Sequence, residues 1–140
     1  MLRTLRRLHA DLLAAIARLE AIVLDPRPDP DTLARLRADL SRLSTTRYEF
    51  LEQRVFPALT GDYPAHVAAR LQKLRDTTNP LRTVSNEHTT RWVPETIAQD
   101  WPGYQRASSA MRRSMRARVA EEMAVLYPLL EMLDEGPESN

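Results

Sequence analysis

The sequence predicts an all-α fold, an up-down-up-down four-helix bundle, and three observations carry that expectation. Apolar residues recur at spacings of three and four in four separate segments, the period of a helix that buries one stripe. No stretch alternates apolar and polar residues as a half-buried strand does. Glycine occurs only at Gly61, Gly103 and Gly136, each at an expected break between segments.

The first helix is expected over about Leu2 to Leu24, with Leu5, Leu8, Leu12, Ile16, Leu19 and Val23 on one stripe. The segment Asp25-Pro-Arg-Pro-Asp-Pro stops it, because proline lacks an N–H and restricts the residue before it. Asp29 is placed to cap the second helix, with Pro30 at its first position. Leu33, Leu36, Leu40, Leu43, Phe50, Leu51 and Val55 form the second stripe, and Pro57 and Gly61 end it. Asp62 is the expected cap of the third helix, and Pro64 falls in its first turn. Val67, Leu71, Leu74, Leu81, Val84 and Trp92 continue that helix, with a kink or break expected at Pro80. Pro94 ends it and is the expected start of a short extra turn before Gly103. The fourth helix runs from about Tyr104 to Leu133, with Met111, Met115, Val125, Leu126 and Leu129 on its inner face. Gly136-Pro137 closes it and leaves residues 135–140 as a flexible tail.

The chain has 140 residues, enough for one domain with one core, here 1–140. A formal charge of +1 supplies no electrostatic reason for nucleic acid or membrane as partner. The basic run Arg112, Arg113, Arg116 and Arg118 reads as a solvated face, since Glu121 and Glu122 follow it and no aromatics interleave. No cysteine is present, which excludes disulfides, thiolate metal sites and cysteine nucleophiles. Asp11, Arg18 and Glu20 interrupt the N-terminal apolar residues, so a signal peptide is not expected, and no run approaches the ~20 apolar residues of a membrane helix. A cytoplasmic location is the expectation. No glycine-rich phosphate loop, paired nucleophile and base, or metalloprotease helix motif occurs, so no catalytic residues are assigned and no enzyme is expected.

Each predicted stripe is broken by a polar group: His9, Arg47, His88 and Arg118, with Glu122 one turn after the last. A helix of ~22 residues is roughly 33 Å long, so residues at different sequence depths can meet at one level. Antiparallel packing brings His9, Arg47 and Arg118 together, and His88 joins them if Pro80 leaves the register intact. His66, near the start of the third helix, reads as a surface residue.

These residues resemble the hemerythrin-like, or HHE cation-binding, domains over nearly the whole chain. The segments Arg47-Tyr-Glu-Phe-Leu-Glu-Gln-Arg-Val-Phe-Pro and Arg118-Val-Ala-Glu-Glu-Met-Ala-Val-Leu-Tyr-Pro align with each other and are similar to the family's ligand helices. The resemblance implies a bundle around a non-haem di-iron centre, with His9, His88 and Glu122 at ligand positions. It also marks departures. Arg47 and Arg118 stand where the second and fourth helices would place histidines, Leu51 stands where a glutamate would, and Glu52 is rotated about 100° from that position.

Arginine has no lone pair to offer a metal and stays protonated. A positive charge ~5 Å from a divalent ion costs on the order of 7 kcal/mol at an effective dielectric near ~20. The leading expectation is therefore a divergent hemerythrin-like protein without its di-iron centre and without cofactor, a non-catalytic binding or regulatory bundle. Its core polar cluster is His9, Arg47, His88, Arg118 and Glu122, with a small anion or small-molecule ligand as partner. One carboxylate against two guanidiniums also calls for a second acid, Glu52 or Glu121, or a bound anion. The alternative is a working site for di-iron or a single metal ion, held by His9, His88, Glu122 and Glu52 and handling oxygen, nitric oxide or iron. A third reading leaves both arginines extended into solvent with their stems on the core.

Overall fold

The computed structural model describes residues 1–134 and is all-α over them. The expected stop at Gly136-Pro137 and the tail at 135–140 lie outside the described residues. Helix α1 spans Leu2–Val23 and buries Leu5, Leu12, Ile16, Leu19 and Val23 together with His9. Helix α2 spans Pro30–Phe50. Its Asp29 cap accepts the Thr32 backbone N–H at 3.0 Å and the Thr32 hydroxyl at 2.7 Å, which satisfies one of the free donors at a helix start.

Beyond Phe50 the chain widens into a π-helical stretch, Leu51–Val55, before the short helix α3, Phe56–Ala58. Periodicity did not foretell this extra residue per turn. Arg75 then donates through Nη2 to the carbonyls of Phe56 at 2.9 Å and Leu59 at 2.8 Å, closing the helix end.

Helix α4 spans Ala65–Arg91 and corrects two expectations. Asp62 does not cap it; the Pro64 carbonyl receives the first N–H groups, from Val67 and Ala68, both at 2.9 Å. Nor does Pro80 break it. The helix runs through, because a proline removes a single backbone donor. After Pro80, however, the apolar stripe fails: Val84 is 51% exposed, and no residue from 81 to 91 is buried.

Helix α5, Pro94–Gln99, is the short turn expected after Pro94. Helix α6 spans Trp101–Asp134 and so begins before Tyr104. Gly103 lies inside its first turn rather than at a break. Its N–H donates to Asp100 Oδ1 at 2.9 Å, and a Cβ there would sit 2.1 Å from Asp100 Oδ2. The close approach of the capping carboxylate is what requires glycine.

Cross-helix contacts set directions. His9 near the start of α1 meets Tyr127 late in α6, while Gln105 early in α6 donates to the Val23 carbonyl at the end of α1. The two are antiparallel. Arg70 with Glu121, and His88 with Tyr104, make α4 and α6 antiparallel as well. Helix α1 packs along α2 and α6, and α4 along α6, whereas α2 and α4 meet only sparsely. Among the described residues no helix is long and apolar enough to cross a membrane.

The core is in two parts. One gathers Leu2, Leu5, Leu51, Val55, Leu74, Leu126 and Leu130; the other gathers Leu12, Ile16, Leu19, Leu33, Trp92, Tyr104 and Val119. His9 falls between Leu5 and Leu12, Arg47 between Leu40 and Leu51, and Glu122 between Val119 and Leu126, so a polar layer separates two apolar clusters.

Candidate functional site

Glu122 is fully buried at the centre of that layer. Its Oε1 accepts from His9 Nε2 at 2.8 Å, and its Oε2 accepts from Arg118 Nε at 2.7 Å. A carboxylate only accepts, so Nε2 of His9 carries the donated proton; with a neutral imidazole, Nδ1 then accepts from the Tyr127 hydroxyl at 2.7 Å. A chain of hydrogen bonds thus runs from the half-buried Tyr127 through His9 to Glu122. Arg118 spends its remaining donors on Thr77 Oγ1 at 2.7 Å, the Leu74 carbonyl at 2.9 Å and Thr78 Oγ1 at 3.0 Å.

Arg47 is only 1% exposed and points into the same layer. Its Nε lies 3.4 Å from Glu122 Oε1, an ion pair that is out of line for a hydrogen bond. Nε and Nη1 have no hydrogen-bond partner among the described residues. The guanidinium rests instead on the ring of Tyr48, 4.4 Å from its centroid, a contact that offsets part of its desolvation. Burial opposes the charge on Glu122. The His9 hydrogen bond and the charges of Arg47 and Arg118 outweigh it and hold the carboxyl below its ordinary pKa.

His9, Arg47, Arg118 and Glu122 therefore meet. His88 does not join them. Pro80 leaves the helix unbroken, yet the layer meets α4 at Leu74, Thr77 and Thr78, so His88 lies about 15 Å further along the helix, where its ring stacks on Tyr104 at 6.1 Å. Burial, and then the charge of Arg37, lower the His88 pKa and favour the neutral ring. Glu52 is exposed, on the far side of the widened turn. Glu121 pairs with Arg70 at 3.1 Å on the surface. Neither acid balances the second guanidinium, and the four residues His9, His88, Glu122 and Glu52 are not brought to one place. Both arginines point inward rather than into solvent, Arg118 being 8% exposed.

These residues do not fit a di-iron centre. Two positions carry guanidiniums that cannot ligate, the one carboxylate that is interior among the described residues is bonded through both oxygens, and both nitrogens of His9 are engaged. Among the described residues no group of three or more His, Asp or Glu is placed to hold a metal ion.

Three partners in the layer had no part in the sequence-based cluster: Tyr127, Thr77 and Thr78. Tyr127 stands in the Tyr-Pro pair of the segment that resembles a ligand helix; its spacing from Glu122 along the same helix was the available signal. The threonines gave none, since on an isolated helix they read as neutral filler.

Beside the layer, where α2 and α4 stand apart, lies a cavity of about 350 Å³. Small side chains of α2, among them Ala34, Ala38, Ser41 and Ser44, face Arg82, Ser85, His88 and Thr89 of α4 across it. The α2 side chains are small, and the α4 positions after Pro80 face this gap rather than a packed neighbour, so the apolar stripe lapses there. Leu19, Tyr104, Met111 and Met115 form its apolar wall, and Arg37 and Arg112 also line it.

No family model matches the chain, and no curated protein or solved structure matches it.

Proposed function

We propose that the chain is an up-down-up-down four-helix bundle of hemerythrin type that has exchanged its metal centre for an arginine–carboxylate cluster, and that it serves as a non-catalytic binding or regulatory protein. Pairwise helix directions support the topology: α1 and α4 each oppose α6. One observation carries the functional reading. Arg118 and Arg47, the two arginines at positions where the resemblance puts histidine ligands, lie 2.7 and 3.4 Å from Glu122, the single interior carboxylate among the described residues. Two guanidiniums supply fixed positive charge at the level where a metal would otherwise bind the carboxylate. The layer then holds its shape without a cofactor, and the chain keeps a bundle interior that can be hollowed for a ligand.

The test is reconstitution. Protein purified without oxygen and offered ferrous iron is expected to retain none after desalting and to show no oxo-bridge absorption band on exposure to air. Stoichiometric iron with such a band overturns the reading. A second arm uses stability: added ferrous or zinc ions are expected to leave the melting temperature unmoved, because a ligand that binds only the folded state raises it.

A further inference from the structure

We propose that the cavity between α2 and α4 binds a small amphipathic organic anion, an aromatic or short aliphatic body bearing one carboxylate or phosphate head. The inference deepens the proposed binding role and rests on it. None of the residues lining the cavity is acidic, and three of them are arginines, Arg37, Arg82 and Arg112. Arg112 is 6% exposed, and its Nη1 donates to Glu20 Oε2 at 2.9 Å. Glu20 is already shared, since Arg116 donates to the same carboxylate at 2.8 and 3.1 Å. Arg37 and Arg82 have no carboxylate within ion-pair distance among the described residues. Aromatic rings hold them instead: Arg37 lies 5.4 Å from the Tyr104 ring centroid and Arg82 5.5 Å from that of Tyr48. Ring faces orient a guanidinium without neutralising it, so both charges stay available to an anion.

The remaining lining fits the rest of such a molecule. Leu19, Met111, Met115 and the buried face of Tyr104 offer an apolar wall. Ser85 and Ser108 supply hydroxyls that donate or accept as the head requires. At about 30 Å³ for each water, the volume of about 350 Å³ equals roughly twelve waters, the lower end of small-molecule sites. That size suits a small molecule. Guanidiniums match carboxylate and phosphate groups with paired hydrogen bonds, and an apolar wall beside them selects an amphipathic body over a bare inorganic ion.

The probes are 4-phenylbutyrate, 4-phenylbutyl phosphate and the neutral 4-phenylbutan-1-ol, followed by calorimetry and tryptophan fluorescence. Tyr104 packs against Trp92 at 5.7 Å and Trp101 at 5.6 Å, so a body seated on Tyr104 changes their emission. At least one anion is expected to bind, and the alcohol about tenfold or more weaker, the scale of one charge-assisted hydrogen bond. The double variant Arg37→Gln/Arg82→Gln is expected to lose about tenfold or more, with Arg3→Gln, at the far end of α1, unchanged. Alcohol binding equal to the anions, a double variant that binds as well as wild type, or no anion binding tighter than about 10 mM overturns the proposal. If the double variant melts early, salt decides on the unaltered chain: anion affinity must fall as sodium chloride rises, and salt-independent binding overturns the proposal. Iron uptake is measured on the same preparation. Iron binding with anion binding retained removes only the metal-free reading; a metal-free chain that ignores the anions removes only this one.

Discussion

Arg47 in α2 and Arg118 in α6 each precede an aromatic–proline pair at the same spacing, Phe56-Pro57 in one helix and Tyr127-Pro128 in the other. The residue one turn on differs: Leu51 after Arg47, Glu122 after Arg118. With Glu122 beneath it, Arg118 makes an ion pair within its own helix and three further hydrogen bonds to α4. With Leu51 beneath it, Arg47 reaches across the bundle for the same carboxylate and is left with Nε and Nη1 unpartnered. The backbones diverge as well. Helix α6 passes through Pro128 as regular α-helix, whereas α2 widens into a π turn before Pro57. Proline alone therefore does not dictate the widened turn. The two segments show that one interior carboxylate serves two cations unequally: Arg118 is built in, and Arg47 is accommodated.

The largest effect is expected where both arms lose their partner. Glu122→Gln keeps the shape of the side chain but leaves two buried guanidiniums and His9 without a charged acceptor. Breaking a buried pair costs about 3–5 kcal/mol, a large share of the ~5–15 kcal/mol that stabilises a domain. A fall in melting temperature of about 10 °C or more is expected; a fall of a degree or two would mean the cluster contributes little.

The same carboxylate shapes the acid limb. Its folded pKa is depressed below the ordinary value of 4.5. The stability it contributes is therefore fully present above that value and is lost as pH falls through the lower folded value. Denaturant midpoints of the wild type should drop as pH falls below the ordinary carboxyl value of 4.5. In Glu122→Gln that part of the slope should vanish; identical slopes would show that other acids carry the transition.

Next in size is Arg118→Met. It removes the bonded guanidinium, frees the Leu74 carbonyl and two threonine hydroxyls, and leaves Glu122 with His9 and the misaligned Arg47. A loss of about 2–4 kcal/mol is expected in urea unfolding. Tyr127→Phe ranks below it, at about 1 kcal/mol, since a single half-buried hydrogen bond to His9 is lost. A Tyr127→Phe loss equal to that of Arg118→Met would move the centre of the cluster toward His9.

The all-helical pattern and most helix bounds could be read from the chain, because each follows from local spacing. Asp29, Pro30 and Pro94 act within a few residues of themselves. The polar layer was partly visible for the same reason: His9, Arg47, Arg118 and Glu122 interrupt stripes that are otherwise apolar. His88 was misplaced because its depth depends on how far α4 is offset along α6, which puts Thr77 and Thr78 at the level of Arg118, and local spacing does not encode that offset. The cavity was invisible. It arises from the mismatch between small residues on α2 and polar ones on α4, and neither segment reveals the other's surface. The π turn before Pro57 likewise has no signature that Pro128 lacks.

The smallest change is expected at the accommodated arm. Arg47→Met keeps much of the stem and removes a charge that has one ion pair at 3.4 Å, one ring contact at 4.4 Å and two unpartnered nitrogens. Replacing such a group with an apolar side chain of similar length removes its desolvation cost along with its attraction, and the two roughly cancel. The expected result is a stability within about 1 kcal/mol of wild type, against the larger loss in Arg118→Met. The double variant Arg47→Met/Arg118→Met then isolates the coupling, since both arginines share Glu122. If each draws on the same charge, the double variant should lose more than the sum of the singles, as the buried carboxylate then faces only His9. A strictly additive cycle would mean that Arg47 and Arg118 act independently, and that Glu122 does not link the two helices.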